Sequence, residues 1–283
     1  MHGLANINGE IMPLAEARIS ALDRGFLFGD AVYEVVRVYH GRPWLLDEHL
    51  ERLRQSLASI RIAGVDLAVL KERALATVRH AGFQEALLYI HITRGAAPRQ
   101  HEFPGDVQPL EFLYVQPFDD PYEGVRTAGV RAITLPDIRW QRCDIKSTNL
   151  LPNVLAAQAA REAGAFEAIF YLPDGTLTEG TRTSLFGVRA GQIWTAPTSQ
   201  AILPGITRRL ILDLARQARI PVVERVLYRQ ELAELSELFL TGTTCEIVPV
   251  IVVDEQRIHD ATPGPITRQL QAAYRDATRT PRA

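Results

Sequence analysis

The sequence predicts an α/β protein built from mixed (α+β) sheets in two domains. The smaller covers residues 1–118, the larger 125–283, and a linker spans 119–124. Three observations carry that expectation. Apolar runs with strand-like and helix-like spacing alternate along the chain. A length of 283 residues exceeds the roughly 100–200 that one core commonly organises. Pro117-Phe118-Asp119-Asp120-Pro121-Tyr122-Glu123-Gly124 gathers turn formers between two strand-like segments. The absence of a glycine-rich dinucleotide fingerprint argues against a doubly wound array.

In order, Val32 to Tyr39 reads as a strand, His40-Gly41-Arg42-Pro43 as a turn, and Trp44-Leu45-Leu46 as a short return strand. Asp47 is the expected N-cap of a helix to Ile60, with Leu50, Leu53 and Leu57 on one face. A second helix is expected over Leu67 to His80, then strands over Ala86 to Thr93 and Leu110 to Val115, separated by a long polar loop. Beyond the linker, strands are expected at Val130 to Leu135, Glu167 to Tyr171, Thr183 to Val188, Gln192 to Ala196, Val222 to Val226, Leu238 to Leu240 and Glu246 to Val253. Helices are expected at Leu151 to Ala163, Thr207 to Ala218 and Ile266 to Ala277. Asp174-Gly175 and Ala190-Gly191 read as hairpin turns.

Composition narrows the function classes. A hydrophobic content of 47% beside 23% charged residues describes an ordinary globular protein. A formal charge of −2 gives no reason to expect a nucleic-acid or membrane partner. No apolar run approaches the ~18–20 residues of a bilayer span, and Met1 leads into no basic and apolar leader pattern. Cys143 and Cys245 are too few for a disulfide framework and lack metal-site spacing. The expectation is a cytoplasmic protein without a metal.

The chemistry concentrates around one residue. Of 31 basic residues only Lys71 and Lys146 are lysines, and an amine can do what an always-protonated guanidinium cannot: lose its proton and condense with a carbonyl. Three further segments suit the same task. Thr178-Glu179-Gly180 places a carboxylate at the end of a β-run. Leu203-Pro204-Gly205-Ile206-Thr207 opens a helix whose N–H groups favour an anion. Gly242-Thr243-Thr244 follows a strand and offers more donors. A lysine, a carboxylate and a phosphate cradle are what pyridoxal 5'-phosphate demands, because the lysine bonds it, the carboxylate keeps its pyridine nitrogen protonated, and the cradle anchors its far end.

The chain resembles the fold-type IV pyridoxal phosphate enzymes, and among them most the D-amino acid transaminases. The resemblance runs through Asp23-Arg24-Gly25-Phe26-Leu27-Phe28-Gly29-Asp30, Val32-Tyr33-Glu34-Val35 and Glu48-His49-Leu50-Glu51-Arg52-Leu53. It continues through Thr93-Arg94-Gly95 with Pro98-Arg99-Gln100-His101, and through Ile138-Arg139-Trp140 with the Lys146 segment. It ends in the Glu179, Leu203–Arg208 and Thr243–Glu246 segments. It implies Lys146 as the Schiff-base lysine and proton carrier, and Glu179 as the partner of the pyridine nitrogen. Arg52, Ile206, Thr207 and Thr243 would hold the phosphate, and Leu203 would pack on the ring. Tyr33, Arg99 and His101 would bind the substrate carboxylate, the last two reaching in from the neighbouring subunit of a homodimer. Arg182 stands where a small hydroxyl residue is expected; it either points away or adds a contact to substrate or cofactor.

The implied reaction is transfer of an amino group from a D-amino acid, D-alanine or D-glutamate, to a 2-oxo acid by ping-pong exchange. The alternatives are a branched-chain L-amino acid or (R)-amine transaminase and an aminodeoxychorismate lyase of the same fold. A protein that only binds a phosphate or the cofactor is the alternative from another class.

Overall fold

In the computed structural model, which describes residues 3–279, strict alternation along the central strands builds the first sheet. The elements are β1 (Leu4–Ile7), β2 (Glu10–Pro13), α1 (Arg24–Phe28), β3 (Ala31–Tyr39), β4 (Arg42–Pro43), α2 (Leu46–Ser59), α3 (Leu67–Ala81), β5 (Ala86–Thr93) and β6 (Leu110–Pro117). They form a six-stranded sheet in the order β2-β1-β6-β5-β3-β4, all antiparallel. Ala86, Leu88, Ile90 and Ile92 face one side of β5, where Leu50, Leu53 and Leu57 of α2 and Leu70, Ala74 and Val78 of α3 cover them. The other side carries aromatics: Tyr33 stacks on Tyr89 at 5.7 Å between centroids, and Tyr89 on Tyr114 at 4.9 Å.

The second unit contains α4 (Glu123–Ala128), β7 (Val130–Pro136), α5 (Leu151–Glu162), β8 (Glu167–Tyr171), β9 (Thr176–Gly180), β10 (Ser184–Arg189), β11 (Gln192–Thr195) and α6 (Ile206–Gln217). It continues with β12 (Val222–Glu224), β13 (Leu227–Tyr228), β14 (Glu237–Gly242), β15 (Glu246–Val253), β16 (Gln256–Arg257) and α7 (Pro265–Arg279). Its ten-stranded sheet runs β12-β11-β10-β14-β15-β7-β8-β9-β13, with β16 on β15. Parallel pairing occurs at β7/β8, β15/β7 and β11/β12, so the sheet is mixed. Ala190 and Gly191 both take positive φ, 48° and 76°, the geometry of a tight hairpin turn between β10 and β11. Among the described residues no helix is long and apolar enough to cross a membrane.

The structure corrects four local expectations. Trp44–Leu46 is not a strand; the return pairing falls at Arg42–Pro43. The helix after it starts at Leu46, capped by Leu45 in the left-handed region (φ 55°), because Leu46 is drawn into the core; Asp47 sits in the first turn and pairs with Lys71 at 2.5 Å. The expected linker is part structured, its end forming the start of α4. The division between units is at Asp119/Asp120, but Ile145–Asn149, expected in the C-terminal domain, belongs to the first unit. Burial of Ile145 in that unit's core is the physical reason.

Candidate active site

In the first unit, Lys146 is held by its backbone. Its carbonyl accepts the Tyr33 N–H at 3.0 Å and its N–H donates to Ser56 Oγ at 3.3 Å, while Ser147 bridges Val32. The side-chain ammonium lies 4.3 Å from the centroid of the Tyr33 ring. Lys146 and Tyr33, distant in the sequence, are thus brought together.

Beside them on β3 is Glu34, which shares the buried face of Val32 and Val36. A carboxylate there must be paired, and α2 supplies the partners one turn apart. Arg52 donates to it from Nε at 2.7 Å and Nη2 at 2.6 Å, and His49 Nδ1 donates at 2.7 Å. Burial by itself pushes the Glu34 carboxyl up, but the charge and hydrogen bonds of Arg52, with His49 behind, hold it at about 2. Burial also lowers the His49 pKa and favours the neutral ring. So Arg52, the expected phosphate ligand, has two donors engaged with Glu34.

That triad implies an acid-sensitive first unit. A carboxyl held below its ordinary value of 4.5 stabilises the fold above that pH and loses the contribution as pH falls toward 2, about 3 kcal/mol in all. Glu34→Gln should destabilise the protein by about 3–5 kcal/mol at neutral pH, because Arg52 loses its counter-charge, and should flatten this acid limb. Urea unfolding at successive pH values measures both, and an unchanged acid limb in the variant would assign the sensitivity elsewhere.

Arg99 and His101 lie exposed on the loop between β5 and β6. Both approach Phe28, the Arg99 guanidinium at 5.2 Å and the His101 ring at 5.6 Å from its centroid.

The second unit carries the expected acid. Glu179, buried at the end of β9, accepts Arg139 Nη1 at 2.6 Å on one oxygen and the Leu203 N–H at 3.1 Å on the other. Arg139 in turn grips Asp137 with Nε at 3.0 Å and Nη2 at 2.7 Å. Burial pushes the Glu179 carboxyl up to about 7 against the pull of Arg139. Burial works against the charge on Arg139 too, but Asp137 and Glu179 outweigh it and keep the guanidinium charged.

Ile206 and Thr207 open α6, whose N-cap Gly205 supplies no capping side chain. A Cβ at Gly205 would lie 2.7 Å from Ser184 Oγ. Ser184 pairs in register with Thr241, whose buried hydroxyl has no partner among the described residues. Gly242 and Thr243 follow directly, so the helix start and the turn after β14 converge.

Arg182 is exposed, with its guanidinium 5.5 Å from the Phe166 ring. Its neighbours Thr181 and Thr183 donate to the buried Glu167 at 2.5 and 3.0 Å. Arg139, Glu34 and His49 lie in segments that carry the resemblance, which gives them no role. A charge inside an apolar strand is the available signal for Glu34; Arg139 has Asp137 as a local partner, but nothing local marks its contact with Glu179, 40 positions on.

The family model for class IV amino-transferases matches residues 31–253. The chain is 41% identical to a D-alanine aminotransferase of Bacillus licheniformis over 274 residues, covering 95% of each. It is 38% identical to that of Staphylococcus haemolyticus over 273 residues, again 95% of each. Among solved structures it is similar to the branched-chain aminotransferase of the thermophilic archaeon Thermoproteus uzoniensis with norvaline, at TM-score 0.87 and 28% identity, covering 97% of this chain and 94% of that one. The branched-chain enzyme from Escherichia coli gives TM-score 0.88 and 26% identity, covering 97% and 93%.

Proposed function

We propose, given that this chain belongs to the class IV aminotransferase family, that it moves an amino group from a D-amino acid to a 2-oxo acid with pyridoxal 5'-phosphate as cofactor. One observation carries the choice of D-substrates. Identity to the D-alanine aminotransferases is 41% and 38% over 95% of the chain, against 28% and 26% to the branched-chain enzymes.

The residues present fit the cofactor. A carboxylate has about four acceptor sites, and two donors on Glu179 leave room for a pyridinium N–H. The uncapped start of α6, with Ile206 and Thr207, suits a phosphate. Thr243 lies beside it, and the Thr241 hydroxyl, without a partner among the described residues, supports the same reading; Arg52 would add its charge to the phosphate. Leu203, tied to Glu179 through its N–H, supplies an apolar contact for the ring.

When bound, pyridoxal phosphate supplies an electron sink and a carrier for the amino group. The other work falls to side chains. Lys146 Nζ would bond the cofactor and would take the proton from the substrate Cα. Glu179, held by Arg139, would keep a proton on the pyridine nitrogen. Tyr33, Arg99 and His101 bind the α-carboxylate by charge-assisted hydrogen bonds. Arg182, exposed against Phe166, tunes side-chain preference at most. The active form is a homodimer in which Arg99 and His101 complete the partner's site. Two free thiols fit a cytosolic protein.

Handedness follows from two fixed points. The carboxylate trap holds one end of the substrate and Lys146 sets the face from which the proton leaves, so one enantiomer presents its Cα–H productively. D-alanine and D-glutamate should convert the bound cofactor to its amine form about 100-fold or more faster than their L counterparts. Half-reaction spectra with D-alanine, L-leucine and an (R)-amine measure this, on protein running as a dimer by light scattering. The structural likeness to branched-chain enzymes makes L-leucine the informative rival. Rapid conversion by it, with D-alanine inert, would overturn the assignment.

A further inference from the structure

The Asp23–Asp30 corner is adjacent to both halves of the first unit's chemistry. On one side, the Gly29 carbonyl accepts Thr148 Oγ at 3.3 Å and Asn149 Nδ2 at 3.2 Å, from the segment that carries Lys146. Gly29 sits at φ 65°, and a Cβ there would meet Asn149 Oδ1 at 2.6 Å, so only glycine allows this approach. On the other side is the loop of Arg99 and His101.

Arg24 is 3% exposed, and its fork is directed at that loop's main chain. Nη1 donates to the Gln100 carbonyl at 2.6 Å and the Glu102 carbonyl at 3.3 Å, and Nη2 to the His101 carbonyl at 3.3 Å. Nε is held by Asp30 at 2.8 Å, and Asp30 is shared with Arg94 at 2.7 Å. Arg94 packs its guanidinium 3.7 Å from the Phe103 ring centroid, securing the next residue of the loop. Burial alone would raise the Asp30 carboxyl, but Arg94 and Arg24 lower it, so the bridge stays charged. Phe28 meets the Arg24 guanidinium at 4.8 Å and faces Arg99 and His101 as well.

A buried guanidinium is costly to desolvate, and a loop with no task could be left to solvent. The geometry points to Arg24 as a positioning residue for substrate: it clamps the carbonyls of residues 100–102, with Phe28 as a shelf, so that Arg99 and His101 project from a fixed backbone. The inference rests on the reading that those two side chains bind the substrate carboxylate. A carboxylate recognised bidentately tolerates little misplacement, so the clamp acts on substrate binding more than on turnover.

Arg24→Gln, alone and in an Arg99→Ala background, separates the possibilities. In the cofactor-loaded enzyme, Arg24→Gln should raise KM for D-alanine about tenfold with kcat within about twofold, and should speed amide exchange over residues 99–103 about tenfold. In the Arg99→Ala background, the same change should raise KM by less than about twofold more, because the clamp acts through Arg99. An equal tenfold loss in both backgrounds, or unchanged exchange in folded Arg24→Gln, overturns the proposal. If Arg99→Ala leaves KM unaltered, the carboxylate reading fails and takes the substrate role of Arg24 with it, while exchange still judges the clamp. Should Arg24→Gln not fold, Arg24→Lys and Phe28→Leu serve: both should loosen the loop and raise KM, and a parental result from both overturns the proposal.

Discussion

Lys146→Ala should leave a folded protein that transaminates about 10⁴-fold or more slowly than the parent, because one side chain supplies both the bond to the cofactor and the proton transfer. The fold should survive, since that segment is held by its main chain: the Lys146 carbonyl on the Tyr33 N–H, its N–H on Ser56, and Ile145 in the core. What the variant loses structurally is the ammonium over the Tyr33 ring, worth about 0.5–2 kcal/mol. Lys146→Arg restores that cation without a nucleophilic amine and should be equally inactive, which separates chemistry from packing. Borohydride reduction of the loaded parent should fix the pyridoxyl group to Lys146. Lys71, ion-paired with Asp47 on the surface of the first unit, should stay unlabelled. A label at Lys71, or an active Lys146→Ala, ends the assignment.

Glu179→Gln comes second in expected effect. The amide keeps the size of the carboxyl and can still accept from Arg139, but it loses the anionic charge a protonated pyridine nitrogen needs. Its NH₂ would also face the Leu203 N–H, so one of the two present contacts is lost. The variant should retain cofactor absorbance and lose about 10²–10³-fold in kcat. Burial already holds Glu179 near 7 despite Arg139, so a cation brought against its open edge would stabilise the ionised form. Glu179→Asp should recover part of the rate, since the charge remains. Transamination at the parental rate by Glu179→Gln would make Glu179 a structural group paired with Arg139.

How much of this was legible in the residues can be judged element by element. Ala86–Thr93 and Glu246–Val253 were expected with the ends the structure gives, because alternation in β5 and a continuous apolar run in β15 report burial directly. The β10/β11 hairpin was legible from Ala190-Gly191, since turn conformation is local. Lys146 stood out as one of two lysines and by the residues that flank it. Its membership of the first unit did not, because that depends on Ile145 fitting a core made by residues between Val32 and Val115.

The start of α2 went the same way: Asp47 is the better cap by type, yet burial of Leu46 drew the helix two residues back, to a cap at Leu45. Glu34 announces a need for partners, but only packing decides that His49 and Arg52 meet it. Arg24 has a local charge partner in Asp30, but its clamp on the loop leaves no trace in the residues. Its acceptors there are main-chain carbonyls, which every residue has, so no residue type at 100, 101 or 102 records the clamp. By itself, then, the sequence determined elements whose signal is periodic or local, and the one amine suited to the chemistry. Tertiary structure alone decided which distant charges meet, because burial turns a solvated side chain into one that must find a partner.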